Sequence, residues 1–426
     1  MNEDFLQFIW NFNLFTNTDL KTTEGEKIEI ISKGELNKNS GPDFYNAKVK
    51  IGDTVWAGTI EIHCNASDWK RHKHETDAAY NNVILHVVEK NDCEIKRNNG
   101  QVIPALEITY PHFFKERYTE LAKSESAVPC ANYLTDIEPF KIQFWLNRMG
   151  AERLERKTNE IIDIINQTNG DMDKVLYYLL FKYFGFKVNT LPFEMLVLSI
   201  PVKVLRKYYK SLTSLEAVLF GQAGFLPDNP DDEYQNKLIN EYNHIKTLYS
   251  LTPIDKSVWK FSKLRPANFP TIRIAQLAQL LNKHESLWNS IMKLDNITDV
   301  YRIFDVTASE YWDNHYVFGK ESAKKSKKHL GDKAAENIIV NVLSPLLFAC
   351  AEYKGDEQLR EKALYFMENV KAEANSVISE WGNYNIKPSN ALESQALLHL
   401  KYEYCSNKKC LNCAIGKQVI QNIIKS

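Results

Sequence analysis

The chain has almost no net charge, few cysteines and no long uninterrupted apolar segment. Its 426 residues include 53 lysines and arginines against 54 aspartates and glutamates, which leaves a net charge of −1. A protein with this balance does not wrap nucleic acid over its whole surface, so any nucleic-acid interface must be local. The best apolar run, 338–351, contains Asn341 and Pro345 and is shorter than the roughly 18 residues of a membrane span. We therefore expect no membrane association.

The seven cysteines are an odd number and do not show the spacing of a disulfide framework. The first residues, Met-Asn-Glu-Asp, carry acids where a secretory signal needs bases. Both features predict a cytoplasmic protein, whose cysteines are thiols or metal ligands. Apolar residues make up 44% and charged residues 25%, which is ordinary globular usage and excludes a disordered or fibrous chain.

Two regions of different composition divide the chain. Residues 1–110 contain 12 basic and 17 acidic side chains, whereas the remainder contains 41 and 37. We predict an α+β domain over residues 1–112, with a mixed sheet and hairpins. A large all-α domain that ends in a C-terminal cysteine tail is predicted to follow over residues 113–426.

Apolar alternation and turn residues predict the elements of the first domain. In chain order they are a helix at 4–15, a strand at 27–32, a hairpin at 44–51 and 55–64 around Gly52-Asp53, a short helix or loop at 67–82, a buried strand at 83–88, and an edge hairpin that turns near Asn98 and returns through 102–109. From residue 139 onward apolar residues recur at three-and-four spacing, which indicates helices.

Three polar residues of the predicted hairpin form a candidate metal site. Asp43 begins one strand, while Glu61 and His63 lie two residues apart in the partner strand and so point to the same face. In metal-dependent phosphodiesterases two carboxylates hold Mg²⁺ or Mn²⁺ and a third group orients the attacking water. We expect Asp43 and Glu61 to be metal ligands and His63 to be the third catalytic group.

The register of the hairpin decides whether these residues meet. A two-residue turn at Gly52-Asp53 pairs Asp43 with Ile62 and places Asp43 and Glu61 on opposite faces. A three-residue loop or a bulge pairs Asp43 with His63 and collects all three side chains on one side. The metal site requires the second register.

This layout resembles the PD-(D/E)XK nuclease superfamily. In that superfamily a helix, a strand, a hairpin carrying Pro-Asp and Glu-x-Lys, a second helix and another strand form the catalytic core. The resemblance implies a nuclease fold for the first domain, metal binding by Asp43 and Glu61, and nucleic acid as the partner. His63 stands where the superfamily has lysine, and a neutral imidazole favours Mn²⁺, Zn²⁺ or Fe²⁺ over Mg²⁺.

Histidines concentrate in the same region and support a second interpretation. Four of the ten histidines lie there: His63, His72, His74 and His86. Together with Asp68 and Asp77 they predict a histidine–carboxylate metal site. His86 lies within an apolar strand, where a hydrogen-bonded core histidine is the simpler explanation.

Three cysteines near the end of the sequence have the spacing C-x4-C-x2-C: Cys405, Cys410 and Cys413. Thiolates this closely spaced suit Zn²⁺ or an iron–sulfur cluster. A fourth ligand must come from elsewhere in the chain, from His399, Cys350 or Cys130. The alternative is that these cysteines are free, partly buried thiols.

Short motifs along nearly the whole chain are similar to those of a family catalogued as domain of unknown function 2851. They are residues 34–37, 40–44, 58–63, 67–69, 85–88, 220–225, 265–270 and 405–416. This resemblance implies neither a substrate nor a functional site.

Three functional hypotheses follow from these observations. The first is a metal-dependent nuclease or phosphodiesterase that acts on nucleic acid. The second is a non-catalytic nucleic-acid-binding or scaffold protein, and the third is a histidine-site metallohydrolase for a small molecule. Convergence of Asp43, Glu61 and His63 favours the first hypothesis, and opposed faces favour the second. A cluster of His63, His72 and His74 around a closed pocket favours the third.

Overall fold

The computed structural model describes residues 3–97 and 99–422. Contacts divide the described residues into two units. The sheet unit contains the residues up to 145 together with those from 400 onward, and the helical unit contains residues 146–399. Contacts alone do not define independently folding domains, so the division at 1–112 and 113–426 stays a prediction.

A mixed sheet forms the centre of the sheet unit, which confirms the predicted α+β start of the chain. Its strands are β1 (Ile28–Ser32), β2 (Glu35–Leu36), β3 (Phe44–Ile51), β4 (Thr54–Asn65), β5 (Val83–Lys90) and β6 (Ala105–Glu107). The order is β1-β3-β4-β5-β6, with β2 also paired to β3. The pairs β1–β3, β2–β3 and β3–β4 are antiparallel, whereas β4–β5 and β5–β6 are parallel.

The edge hairpin predicted after β5 is present in part. Lys96 and Val102 form an antiparallel bridge, and the N–H of Ile103 donates to the carbonyl of Ile95 at 2.9 Å. The returning segment then forms β6, which runs parallel to β5 with His86 opposite Ala105, so it does not continue the hairpin. The first six residues of β5 are all buried, so both faces of this strand are covered, as the unbroken apolar run predicted. Asn98, in the predicted turn, lies outside the described residues.

The first helix, α1 (Glu3–Asn11), covers the sheet close to the candidate site. Its apolar side chains Phe5, Leu6 and Ile9 are fully buried, and burial of each such side chain contributes about 1.5–3 kcal/mol. The indole Nε1 of Trp10 donates a hydrogen bond of 3.2 Å to the carbonyl of Lys33, which fixes the helix against the loop after β1. The polar residues at the start of α1 are therefore held at a defined position over the sheet.

Helices dominate the remainder of the chain. They are α2 (Asp68–Arg71), α3 (His112–Lys123), α4 (Pro139–Gln167), α5 (Met172–Phe184), α6 (Thr190–Leu198), α7 (Val202–Tyr208), α8 (Leu212–Gln222), α9 (Glu233–Tyr249), α10 (Pro270–Asn282), α11 (Leu287–Met292), α12 (Ile297–Phe304), α13 (Asp332–Ile338), α14 (Ser344–Lys354), α15 (Glu357–Asn369), α16 (Ser376–Gly382), α17 (Ala391–His399) and α18 (Ala414–Gln421). The prediction of an all-helical remainder needs one correction, since β7 (His315–Val317) and β8 (Lys320–Glu321) form a small antiparallel hairpin. Gly319, at a φ of 66°, makes this tight turn.

One helical stretch, Asp332–Lys354, is long and apolar enough to cross a membrane. It joins α13 and α14 through a π-helical turn, Ile339–Leu343. In its most apolar window 83% of the residues are buried inside the protein, and Leu346 and Leu347 are fully buried. The stretch is therefore a central element of the hydrophobic core of the helical unit.

Candidate functional site

A β-bulge in β3 brings the hairpin residues together. The turn at Gly52-Asp53 has two residues, because Ile51 pairs with Thr54. The pairing then shifts by one residue between Ala47 and Phe44, so that Phe44 lies opposite Ile60. Asn46, inside the shifted segment, has a positive φ of 56°, which is a backbone conformation that asparagine tolerates better than most residues.

The bulge changes the face to which Asp43 points. The backbone N–H of Asp43 donates to Oε2 of Glu61 at 3.0 Å, so the two residues are neighbours across the hairpin. The predicted register paired Asp43 with His63, and the observed shift runs in the opposite direction, towards Glu61. Both shifts place Asp43 and Glu61 on the same side of the sheet, as the metal site requires.

Both carboxylate oxygens of Asp43 already accept hydrogen bonds from the protein. Oδ2 accepts from the backbone N–H of Ile62 at 2.9 Å, and Oδ1 accepts from Nε2 of Gln7 in α1 at 2.8 Å. Asp43 in turn holds one oxygen of Glu61 through its own backbone N–H. Asp43 therefore orients the carboxylate of Glu61 through Oε2, and Oε1 of Glu61 takes no part in this contact.

Glu61 Oε1 faces a cluster of imidazoles, which we call the histidine trio: His63, His72 and His74. Oε1 lies 3.2 Å from Nε2 of His74 and 3.5 Å from Nε2 of His63. One nitrogen from each ring of the trio lies within 4.8 Å of the other two. Three imidazole nitrogens at this spacing, with a carboxylate oxygen beside two of the rings, are a donor set that suits one transition-metal ion.

A second histidine fixes the ring of His63. Nδ1 of His63 and Nε2 of His86 lie 2.8 Å apart, and both side chains are almost completely buried. Nε2 of His63 has no hydrogen-bond partner and points towards the cluster. When Nδ1 carries the proton, it donates a hydrogen bond to His86 and leaves a lone pair on Nε2. This tautomer of the ring is the one that binds a metal through Nε2. His86 is thus a hydrogen-bonded core histidine, as predicted, and its partner is a residue of the trio.

Burial keeps these imidazoles neutral. Loss of solvent, and secondly the neighbouring histidines, lower the pKa of His63 to about 2. Burial likewise lowers the pKa of His86 to about 3, and it lowers the pKa of His74. Since only the neutral ring binds a metal, His63 and His74 do not need to lose a proton at neutral pH to become ligands.

Burial has the opposite effect on the pKa values of the two hairpin carboxyl groups, Asp43 and Glu61. Burial raises the pKa of Asp43, and the nearby charge of Glu61 raises it further. Burial is also the main reason that the pKa of Glu61 is raised. A divalent cation beside these groups would compensate the cost of holding two buried carboxylates in their charged form.

Aromatic rings pack around the trio and hold it in place. The ring of Tyr80 stacks on His74 with centroids 3.8 Å apart. Trp69, which is 2% exposed, contacts His74 and His86 with its ring edges at centroid distances of 5.4 Å. The short segment from α2 to β5 thus carries both the ligand candidates and the rings that orient them.

The carboxylates predicted to accompany the histidines were the wrong ones. Asp68 accepts a hydrogen bond of 3.0 Å from the N–H of Asn65 and pairs with Arg71, while Asp77 caps the N–H of Ala79 at 2.9 Å. Both residues therefore stabilise local turns. The carboxylates that lie near the trio are Glu61 and Glu3.

Glu3 was missed because nothing in its sequence context marks it. Its Oε1 lies 3.9 Å from Nδ1 of His72, and the packing of α1 on the sheet is what brings it there. Gln7, one turn later on the same helix, was missed for the same reason. The apolar pattern of α1 indicated that the helix would pack, but it did not indicate on which residues.

The family model described as a protein of unknown function, DUF2851, matches residues 3–376. The chain belongs to the DUF2851 family. No curated protein and no solved structure shows a significant match to it. The sheet and the trio therefore lie within the part of the chain that the DUF2851 model covers.

Basic residues surround the exposed side of the trio in this DUF2851 protein. Lys70, Arg71 and Lys73 are exposed and flank His72, which is itself exposed. Arg71 also pairs with Asp68 at 3.0 Å, which holds it beside the site. Three basic side chains thus lie next to the exposed His72 in sequence, although residues 1–110 carry more acidic than basic side chains.

The predicted cysteine ligands lie beyond the residues that the DUF2851 model matches. Cys405, Cys410 and Cys413 are buried in the sheet unit. His399, one candidate for their fourth ligand, belongs to the helical unit, where its Nε2 lies 3.3 Å from Oε1 of Glu152. His399 therefore has a carboxylate partner within its own unit.

Proposed function

We propose that the protein is a metal-dependent phosphodiesterase that cleaves nucleic acid, with its metal held by His63, His72, His74 and Glu61. The observation that carries this proposal is the convergence of the three imidazoles, with Glu61 Oε1 beside two of them, His63 and His74. A structural role alone does not require Glu61 and His63 to be buried beside two further histidines, because burial of these two polar groups costs free energy.

The donor set fits a transition metal better than Mg²⁺. Imidazole nitrogen is a ligand that Mn²⁺, Fe²⁺ and Zn²⁺ accept readily, whereas Mg²⁺ prefers oxygen donors and retains water. Such an ion would act as a Lewis acid on a phosphodiester and would lower the pKa of a bound water. The expectation of Mg²⁺ or Mn²⁺ on Asp43 and Glu61 thus becomes a proposal for Mn²⁺, Fe²⁺ or Zn²⁺ on Glu61 and the trio.

The residues around the ion have separate tasks in this proposal. Asp43 orients Glu61 through its backbone N–H, and His86 keeps the proton of His63 on Nδ1. Lys70 and Lys73, on the exposed side, attract the phosphate groups of the substrate. Glu3 lies near His72 and is placed to accept a proton from the outer side of that ring.

The order of elements supports nucleic acid as the substrate. Helix α1, strand β1, the β3–β4 hairpin, helix α2 and the parallel strand β5 follow one another as in the PD-(D/E)XK nuclease core. Asp43 and Glu61 occupy the positions of its carboxylates. His63 replaces the lysine, so a fixed positive charge at that position is absent and the imidazole-bound ion would supply the positive charge.

A second candidate function is hydrolysis of a small molecule, which the three imidazoles favour because such ligand sets are common in metallohydrolases. The exposure of His72 and the basic residues beside it favour a long anionic substrate instead. A third candidate function is binding of nucleic acid without cleavage, and the experiment must distinguish it from the two hydrolytic functions.

The test compares the parent protein with Glu61→Gln and with the control Glu94→Gln, which alters an exposed glutamate of the same unit. Each protein is first analysed for bound metal after purification without chelators. It is then incubated with single- and double-stranded DNA and RNA and with Mn²⁺, Fe²⁺ or Zn²⁺ in turn. We expect Glu61→Gln to lose bound metal and at least about 100-fold in cleavage rate, because it removes the charged ligand of the ion. Glu94→Gln should match the parent.

The other outcomes separate the alternatives. Equal cleavage by Glu61→Gln and the parent contradicts the proposal. Binding of nucleic acid without cleavage under any of the three metals shows a binding protein. Hydrolysis of bis(p-nitrophenyl) phosphate without any action on nucleic acid shows a small-molecule enzyme.

A further inference from the structure

Four cysteines of the sheet unit are buried away from the histidine trio. Their exposed fractions are 7% for Cys130, 6% for Cys405, 7% for Cys410 and 6% for Cys413. Each lies at the boundary of a helical turn: Cys130 precedes the 3₁₀ helix Ala131–Asp136, Cys405 ends the π-helical turn Leu400–Cys405, Cys410 begins the 3₁₀ turn Cys410–Asn412, and Cys413 precedes α18. None of the four is in a disulfide bond.

Two lysines bring the segment of Cys130 to the other three. Nζ of Lys401 donates a hydrogen bond to the carbonyl of Ala127, and Nζ of Lys408 donates one to the carbonyl of Ser124. Both acceptors lie a few residues before Cys130, and both donors lie within or beside the turns that carry Cys405 and Cys410. The segment is thus fixed to the cysteine turns by two charge-assisted hydrogen bonds.

The four sulfurs share one buried region. Burial raises the pKa of Cys130, and the charges of Cys413, Cys405 and Cys410, in that order, raise it further. Burial also raises the pKa of Cys405, with Cys413 and Cys410 as the next causes. The turn that ends at Cys405 packs against the turn that begins at Cys410, and the turn of Cys410 packs against α18, which follows Cys413.

Hydrogen-bond donors are directed at one of these sulfurs. Burial raises the pKa of the Cys413 thiol, and hydrogen bonds from the backbone N–H groups of Gly416 and Ile415, at the start of α18, oppose this rise. Donors around a sulfur stabilise a thiolate over a thiol. At Gly416 a Cβ would lie 2.4 Å from the carbonyl oxygen of Cys410, so glycine is what permits this close approach.

The other candidates for a fourth ligand have different surroundings. Sγ of Cys350 lies 3.5 Å from Sδ of Met172 in the hydrophobic core of the helical unit. His399, in the same unit, contacts Glu152. Of the three residues from which the sequence allowed a choice, Cys130 is the one that belongs to the unit of the cysteine turns.

The spacing of the sulfurs distinguishes two kinds of metal. Four sulfurs around one Zn²⁺ ion, at about 2.3 Å from it, lie roughly 3.8 Å from one another. Among the described residues the trio His63, His72 and His74 is the group whose ligand atoms lie within 4.8 Å of one another, and the cysteines do not form such a group. A multi-iron cluster holds its cysteines farther apart, because iron and sulfide atoms lie between them.

We propose that Cys130, Cys405, Cys410 and Cys413 bind an iron–sulfur cluster. The cluster joins the segment before residue 131 to the residues after 400 and replaces four buried thiols with one bound group. Its role in this proposal is to hold the sheet unit together, and it is independent of the histidine trio.

The test begins with the full chain purified without oxygen and reconstituted with ferrous iron and sulfide. We expect iron and acid-labile sulfide in similar amounts, and a brown colour that dithionite bleaches. Cys130→Ser should retain less than about one fifth of the iron, since it removes one of four ligands. Cys93→Ser, which alters a partly buried cysteine of the same unit, should retain all of it.

Two results would overturn the proposal. One is a parent protein that binds zinc in a one-to-one ratio and no sulfide after reconstitution. The other is a Cys130→Ser variant with the iron and sulfide content of the parent. If Cys130→Ser fails to fold, the metal and sulfide analysis of the parent still decides between a cluster, a zinc ion and free thiols.

Discussion

Replacement of His86 by phenylalanine tests whether His63 binds a metal through Nε2. If Nε2 of His63 binds the metal, the proton of the His63 ring lies on Nδ1. Nδ1 then donates a hydrogen bond to Nε2 of His86, 2.8 Å away. Phenylalanine fills the space beside Trp69 with a ring of similar size but accepts no hydrogen bond. The substitution therefore removes the acceptor with little loss of packing.

The magnitude follows from the two states of the ring. A buried N–H without a partner costs about 1–3 kcal/mol. The metal-free variant avoids this cost by moving the proton of His63 to Nε2, which faces Glu61 Oε1 at 3.5 Å. In the metal-bound variant the metal occupies Nε2, so the proton stays on Nδ1 without an acceptor. The cost therefore reduces the free energy of metal binding and lowers the metal affinity by about 5- to 150-fold. Loss of the residues that orient metal ligands typically lowers metal affinity by about 10- to 100-fold, and the range expected for His86→Phe agrees with this.

The affinity is measured by competition between the protein and a chelating dye for Mn²⁺ and Zn²⁺. His86→Gln offers an amide oxygen as a new acceptor and should recover part of the affinity. His112→Phe, at an exposed position on α3, should bind as the parent does. A folded His86→Phe variant that binds both ions within twofold of the parent would refute the assignment of Nε2 as the ligand atom.

Two further predictions concern stability. Burial raises the pKa of Glu216 in α8 to about 7, although Ser309 donates a 2.6 Å hydrogen bond to it. Because the folded-state pKa lies above the unfolded one, the stability that the protonated form provides is lost as the pH rises from about 4.5 through 7. The gain in unfolding free energy from Glu216→Gln should therefore be larger at pH 8 than at pH 4.5 by about 3 kcal/mol in urea titrations, and equal effects at both pH values would contradict this. Gly58→Ala should destabilise the protein by about 1–3 kcal/mol, because its Cβ would lie 2.5 Å from the carbonyl oxygen of Asn82. Gly382→Ala, where a Cβ would meet open space, is the control and should not lower the melting temperature.

Much of the sheet was predictable because its signals are local. Alternation placed Glu61 and His63 on one face, and Gly52-Asp53 marked a two-residue turn that the structure contains. The unbroken apolar run of β5 indicated burial on both faces, and the structure shows it. Each of these features depends on residues that are close in sequence.

The remaining features of the site depend on backbone geometry and on packing between distant residues. The bulge at Asn46 reverses the face of Asp43, and asparagine at that position is compatible with ordinary strand as well. The parallel direction of β6 depends on how residues 91–104 cross the sheet. Glu3 reaches His72 only after α1 has packed on the sheet, so no spacing in the sequence relates the two residues.

The sheet unit is assembled from two stretches of chain that the ribosome makes at different times. About 250 residues of the helical unit are synthesised between residue 145 and residue 400. At about 5–20 residues per second this takes roughly 10 to 50 s. During that interval Cys130 has been synthesised, whereas Cys405, Cys410 and Cys413 have not. Loading of the proposed cluster is therefore a late step of biogenesis, and a translational pause within the helical unit would lengthen the time for which the first part of the sheet unit must persist on its own.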